Sequence, residues 1–243
     1  MAFREEDHPR DNGGKFTDKE GGRTYRQNVS YDKILSDDAT AETDNTIVEF
    51  DEKAFDSVKD IPLNQIRADS GWLFGKGRTD STLHKILHAK GYDRLPKVVS
   101  KEEIDDLVKQ GYTPIFRGMK YLGDDVPSGA EQYKRGEMFV GRGAFGHGVY
   151  FATNNRMASK YSVDKDGKVG SILFGVLDKS AKIISAEDAK KLSEDLSNKA
   201  QTSEHKAILS DVGKVAALYG YDAIKATEDI LVVLNRGKTI IGE

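Results

Sequence analysis

The chain contains no cysteine in its 243 residues, which excludes disulfides and thiolate metal sites and makes a reducing, cytoplasmic setting the expectation. Histidine is scarce as well, and the five present are scattered without the spacing that ligates a metal, so no metal is expected. Long hydrophobic runs are missing. Hydrophobic residues make up 37% of the chain and charged residues 32%, and the longest apolar run of the second half, Ile230 to Leu234, has the length of a strand. A membrane-crossing helix needs roughly 20 residues, so a soluble protein with no membrane partner is expected. The first seven residues, Met1 to Asp7, carry charges where a secretory leader would carry an apolar stretch, and no leader is expected. Neither sign of charge dominates. Lys and Arg number 37 against 40 Asp and Glu, a net charge of -3, which leaves no broad electrostatic footprint for nucleic acid.

What is present begins with length. A chain of this size suits one large domain, or one domain and a tail, able to bury roughly 70–75% of its unfolded surface without covalent staples. Residues 1–30 mix charges of both signs with the pairs Gly13-Gly14 and Gly21-Gly22 and few apolar positions, too few to offset the entropy of ordering, so a polar disordered tail is expected. Residues 31–110 read as a helical segment. Within it, residues 81–89 set Leu83, Ile86 and Leu87 on one helical face and stop before Gly91, while Ser100-Lys101-Glu102-Glu103 forms a capping box ahead of Ile104, Leu107 and Val108. Trp72 is expected as a core anchor.

From 111 onward the pattern changes to short strands, at 114–116, 138–140, 149–152, 171–177, 182–184, 230–234 and 239–241, with turns at Asp166-Gly167 and Asn235-Arg236-Gly237. Two helices are expected over about 186–198 and 203–219. Helices set beside a mostly antiparallel sheet give an α+β domain over 111–243.

Gly141-Arg142-Gly143-Ala144-Phe145-Gly146 matches the dinucleotide fingerprint G-x-G-x-x-G letter for letter. That fingerprint must open a helix whose N-terminus receives the pyrophosphate, whereas a strand pattern follows here, so a hydride-transfer fold is not expected. A glycine loop of this kind suits the wall or lid of a pocket, because its backbone can approach a flat ligand closely. His147 in this loop, and Gln132 and Glu137 just ahead of it, are expected to be solvated.

Three separated segments together resemble the ADP-ribosyltransferase superfamily, whose members move ADP-ribose from NAD to a target. Ile115-Phe116-Arg117-Gly118 resembles the aromatic-Arg-Gly strand of the arginine-containing toxin branch. Gly146-His147-Gly148-Val149-Tyr150-Phe151-Ala152, followed by Ala158-Ser159-Lys160-Tyr161, is similar to the strand and following helix of the poly(ADP-ribose) polymerase branch, including a second Tyr eleven residues after the first. Glu228 to Asn235 resembles the closing strand on which both branches present a glutamate. The resemblance implies a split antiparallel β-sheet core with flanking helices and NAD as co-substrate. It further implies a macromolecular acceptor, a host protein being the expected one, and no metal. Asp7 to Thr17 and Tyr92 to Ser100 also resemble segments of bacteriophage minor head proteins, which implies a phage or prophage origin and leaves open association with the virion.

The chemistry suits these residues. Breaking the bond between ribose and a cationic nicotinamide spreads positive charge over the sugar, much as in glycoside hydrolysis. Tyr150 and Tyr161 could stack on the nicotinamide, with Ala158 one turn before Tyr161 leaving room for a flat ring. Arg117 offers a fork for the pyrophosphate or the ribose hydroxyls, and Gly118 a backbone open to the nicotinamide amide. Gly148, Phe151 and Ala152 complete the expected NAD-binding set. The polymerase branch has a His where Arg117 stands, so the sequence is a hybrid of the two branches.

For the acid, the polymerase interval counted back from Asn235 falls on Ile230, which has no charge. Strand alternation puts Glu228 on the face of Ile230, making it the preferred acid, with Asp229 the alternative if a bulge shifts the register. Family members with an apolar residue at this position add a single ADP-ribose, so the resemblance implies mono-transfer. Two rivals stand beside this expectation. One is a phage structural module that keeps the fold without turnover. The other is an RNA 2′-phosphotransferase relative, which needs a basic groove and paired histidines that the sequence does not offer.

Overall fold

The computed structural model describes residues 49–69, 81–136 and 141–243, all within one compact unit, Leu35–Glu243. The expected tail, Trp72, Glu137 and the expected strand at 138–140 lie outside the described residues. Three short helices lead, α1 (Glu52–Asp56), α2 (Leu63–Asp69) and α3 (Ser81–Ala89). Strand β1 (Lys97–Val99) follows, then α4 (Lys101–Lys109), β2 (Thr113–Met119), α5 (Gly129–Lys134), β3 (Gly141–Gly143), β4 (Gly146–Ala152) and α6 (Asn155–Ser162). The remainder comprises β5 (Ser171–Leu177), β6 (Ile183–Ser185), α7 (Ala186–Lys199), α8 (Ser203–Leu209), α9 (Val212–Leu218), β7 (Ala223–Lys225), β8 (Ile230–Val233) and β9 (Thr239–Gly242).

Eight strands form one sheet in the order β1-β9-β5-β2-β4-β8-β7-β6, with β3 hairpinned onto β4. The fold is α+β. The sheet is mixed, since β1 runs parallel to β9 and β6 parallel to β7. The sequence predicts no strand at 97–99, nor at 223–225. Strand β1 is held by β9 and β7 by β6, both partners distant in the chain, and β7 pairs also with the nearby β8.

Period-2 alternation gives the central strands two buried faces. On β2 and β5, Ile115, Met119, Leu173 and Leu177 enter a large core shared with α1 to α3 and α8 to α9, where Leu83, Ile86 and Leu87 are buried as their spacing predicts. The segment at 52–89 and the sheet therefore share one core. On the opposite face Val176 and Ile240 meet Ile104 of α4, and Phe116 meets Ala158 of α6. Ser100 caps α4 through the capping box its sequence announces. The single helix expected over 203–219 is instead two, because Asp211 accepts from Lys214 N and starts α9 as its N-cap.

The sheet is nearly parted at its centre. Seven register pairs join β2 to β5 and four join β4 to β8, but only Phe116 and Ala152 pair β2 to β4. Beyond that pair the two halves diverge and leave a cleft.

Candidate functional site

The cleft is a cavity of about 300 Å³. From β2 it is lined by Phe116, Arg117 and Gly118, from β4 by Tyr150, Phe151 and Ala152, and from α6 by Met157, Ala158 and Tyr161. Gly143 of β3 and Ile230 of β8 complete the wall. Seven of the ten residues expected to catalyse or to bind NAD thus meet at one cavity. Gly148, Glu228 and Asp229 do not line it.

Arg117 stands where β2 and β4 part. Its Nη1 donates to the Tyr150 carbonyl at 2.6 Å, so the guanidinium replaces a ladder hydrogen bond that the diverging strands no longer make. Among the described residues it is the only charged one lining the cavity, and burial pulls its pKa below the ordinary guanidinium value.

Tyr150 is half-buried. Its hydroxyl donates to the Gly146 carbonyl at 2.7 Å and accepts from Phe145 N at 3.3 Å, and burial raises its pKa. The ring lies flat enough on the β3–β4 hairpin that a Cβ at Gly143 would fall 2.5 Å from its hydroxyl. Tyr161 is 64% exposed, which sets its ring at the mouth of the cavity while Ala158, 1% exposed, forms its inner wall. Met157, one turn before Tyr161 on α6, was not predicted as a site residue; its i, i+4 spacing from Tyr161 was the available signal.

Two expected ligand glycines have packing reasons to be glycine. A Cβ at Gly118 would lie 1.9 Å from the Ala158 carbonyl, and one at Gly148 would lie 2.3 Å from Val232 Cγ1. Gly118 lets α6 rest directly on β2, and Gly148 lets β4 rest on β8. The glycine loop is a hairpin running into β4, with Gly146 at a φ of +83°, and no helix N-terminus follows it.

The carboxylates sit differently from the strand-based expectation. β8 begins at Ile230, so Glu228 and Asp229 belong to the preceding bend and strand alternation does not govern them. Both are exposed. The Asp229 carboxylate accepts from Asn154 Nδ2 at 2.9 Å, and its carbonyl accepts from Thr153 N at 2.9 Å. Ile230 occupies the cavity wall.

His147 and Gln132 are buried, not solvated. His147 is 3% exposed and its Nδ1 meets Asp211 Oδ2 at 2.5 Å, while its backbone N–H donates to the other oxygen at 3.2 Å. Burial pushes the Asp211 carboxyl up, but the hydrogen bond and charge of His147, with Lys214, outweigh it and hold the carboxyl at about 2. Gln132 donates to the Pro127 carbonyl at 2.8 Å. Among the described residues no group of three His, Cys, Asp or Glu side chains could hold a metal ion, and no helix is long and apolar enough to cross a membrane.

Among the described residues the wall is mostly apolar, with two aromatic hydroxyl-bearing rings and one cation. Comparison with family models, with curated proteins and with solved structures returns no match to this chain.

Proposed function

We propose that the chain is an NAD-dependent mono-ADP-ribosyltransferase that holds NAD in the cleft between β2 and β4 and passes ADP-ribose to a macromolecular acceptor, a host protein, releasing nicotinamide. The observation that carries this reading is the meeting of Arg117, Tyr150 and Tyr161, from three separate elements, at one cavity. The near-parting of the sheet at Phe116 and Ala152 supports the split-sheet architecture of that superfamily. In transfer, the electron pair of the ribose–nicotinamide bond leaves with the nicotinamide and the acceptor's nucleophile bonds to the ribose carbon.

In this reading the chain's residues divide the work. Tyr150, fixed by two hydrogen bonds through its hydroxyl, presents a preorganised ring face, and Tyr161 at the mouth supplies the second. Arg117 supplies positive charge to the diphosphate arm. Glu228 is the acid, because Asp229 is engaged by Asn154 whereas Glu228 has no side-chain partner among the described residues. Ile230 on the wall supports a single transfer, not polymer synthesis. The acceptor would be met in the bacterial cytoplasm, from a phage-encoded protein that could travel in the virion.

A second reading is favoured by one observation: the cavity wall carries Ile230 and no carboxylate among the described residues. A phage structural module retaining the fold without turnover would have this wall. Incubating the full chain with NAD labelled in the adenylate separates the two. The transferase releases nicotinamide or labels protein, and Tyr150→Ala lowers that rate about tenfold or more by removing the stacking face. No turnover by the wild-type chain, with or without NAD binding by calorimetry, decides for the structural module.

A further inference from the structure

We infer that Asp229 is a positioning residue of the cleft: through Asn154 it locks α6, the wall that carries Tyr161, against the start of β8. The role of the cleft in binding NAD rests on the function proposed above; the lock itself does not.

Asn154 uses both ends of its amide. Its Oδ1 accepts from Met157 N at 2.9 Å and so caps α6, while its Nδ2 donates to the Asp229 carboxylate at 2.9 Å. Two further bonds stitch the same pair of turns, Thr153 N to the Asp229 carbonyl at 2.9 Å and Thr153 Oγ1 to the Glu228 carbonyl at 3.3 Å. The turn entering α6 and the bend entering β8 thus form one unit, with Ile230 immediately beyond it. Met157, Ala158 and Tyr161 follow Asn154 within two turns of helix, so the angle at which α6 leaves this turn sets how far they stand from Ile230 across the cavity.

A carboxylate accepting a charge-assisted bond from an amide is a fixed acceptor, and that is the work assigned to it here. With its carboxylate engaged by Asn154, Asp229 is less available for proton transfer or for stabilising sugar charge than Glu228 beside it.

Exchanging the partners tests this. Asn154→Asp keeps an acceptor for Met157 N, and hence the cap, but sets two carboxylates against each other. Adding Asp229→Asn restores one donor and one acceptor in reversed order. Hydrogen exchange of the α6 amides, measured without ligand, should speed about tenfold in Asn154→Asp and in Asp229→Ala and return to within about threefold of wild type in the reversed pair. The KM for NAD should follow the same order, with kcat changed less. Unchanged α6 exchange in Asp229→Ala would overturn the inference. So would loss of turnover in Asp229→Asn with α6 protection intact, which would make Asp229 an acid. A wild-type chain that neither binds nor consumes NAD defeats the proposed function, and the exchange measurement then decides the lock by itself.

Discussion

At Gly118 one hydrogen atom decides whether the wall of the cleft exists. The nearest atoms to a Cβ there are backbone, the Ala158 carbonyl oxygen at 1.9 Å and Ser162 N at 2.8 Å, and backbone cannot rotate out of the way as a side chain can. Gly118→Ala should therefore push α6 off β2, costing about 1–3 kcal/mol by overpacking and lowering Tm by roughly 3–10 °C. Calorimetric melting checks this, and the same variant should bind NAD more weakly because Tyr161 and Ala158 move with the helix. The reason for the glycine was not legible in the sequence. An Arg-Gly pair suggests a backbone bared to a ligand, while the helix that needs the space lies some forty residues further on. What was legible was the identity of the ring and guanidinium residues, since Tyr150, Ala158 and Tyr161 carry a spacing of their own. The reason for Gly148 is hidden in the same way, since its packing partner, Val232, lies across the sheet.

Elements were legible in proportion to their length and their caps. β5 matches its expected span, and α4 starts at its capping box, because both signals lie inside the element. The break between α8 and α9 was missed although Asp211 is an ordinary N-cap type, since apolar residues at 208, 209, 212 and 215 continue a helical period across it. The reversal at 235–237 was legible as a turn, and it is a 3₁₀ turn, but its larger role was not. Arg236, 4% exposed, donates from Nε to the Arg94 carbonyl and from its two terminal nitrogens to the carbonyls of Gly136 and Asp93. One guanidinium thus ties the start of β9 to the loop before β1 and to the end of α5. An ammonium cannot match three divergent carbonyls held by a planar fork, so Arg236→Lys should lower stability by about 2–4 kcal/mol. In urea unfolding this predicts a lower midpoint with an unchanged slope; an unchanged midpoint would show that the clamp contributes nothing.

Across the whole molecule, the hairpin beside the cleft is fastened to the helical layer through His147 and Asp211. Gly213 permits it: a Cβ there would lie 1.9 Å from the His147 carbonyl, so α9 meets β4 with no side chain between. That fastening gives the fold an acid-sensitive joint. The Asp211 carboxyl is held at about 2, below its ordinary value of 3.8, so the folded state binds that proton less readily than the unfolded chain does. The stabilisation is therefore complete above the ordinary carboxyl value and fades as pH falls from about 4 toward about 2. A depression of this size corresponds to about 2 kcal/mol. Asp51, bonded to Lys90, and Asp93, bonded to His88, are shifted in the same direction, so the acid limb of stability should be steeper than Asp211 alone would make it. Asp211→Asn isolates the joint, because asparagine still caps α9 and fills the same space without the charge. Wild type should exceed that variant by about 2 kcal/mol in urea unfolding at pH 6, and the gap should close as the pH is taken to about 2. A gap that stays constant over that span would mean that Asp211 stabilises the joint by shape and capping alone, with its charge contributing nothing.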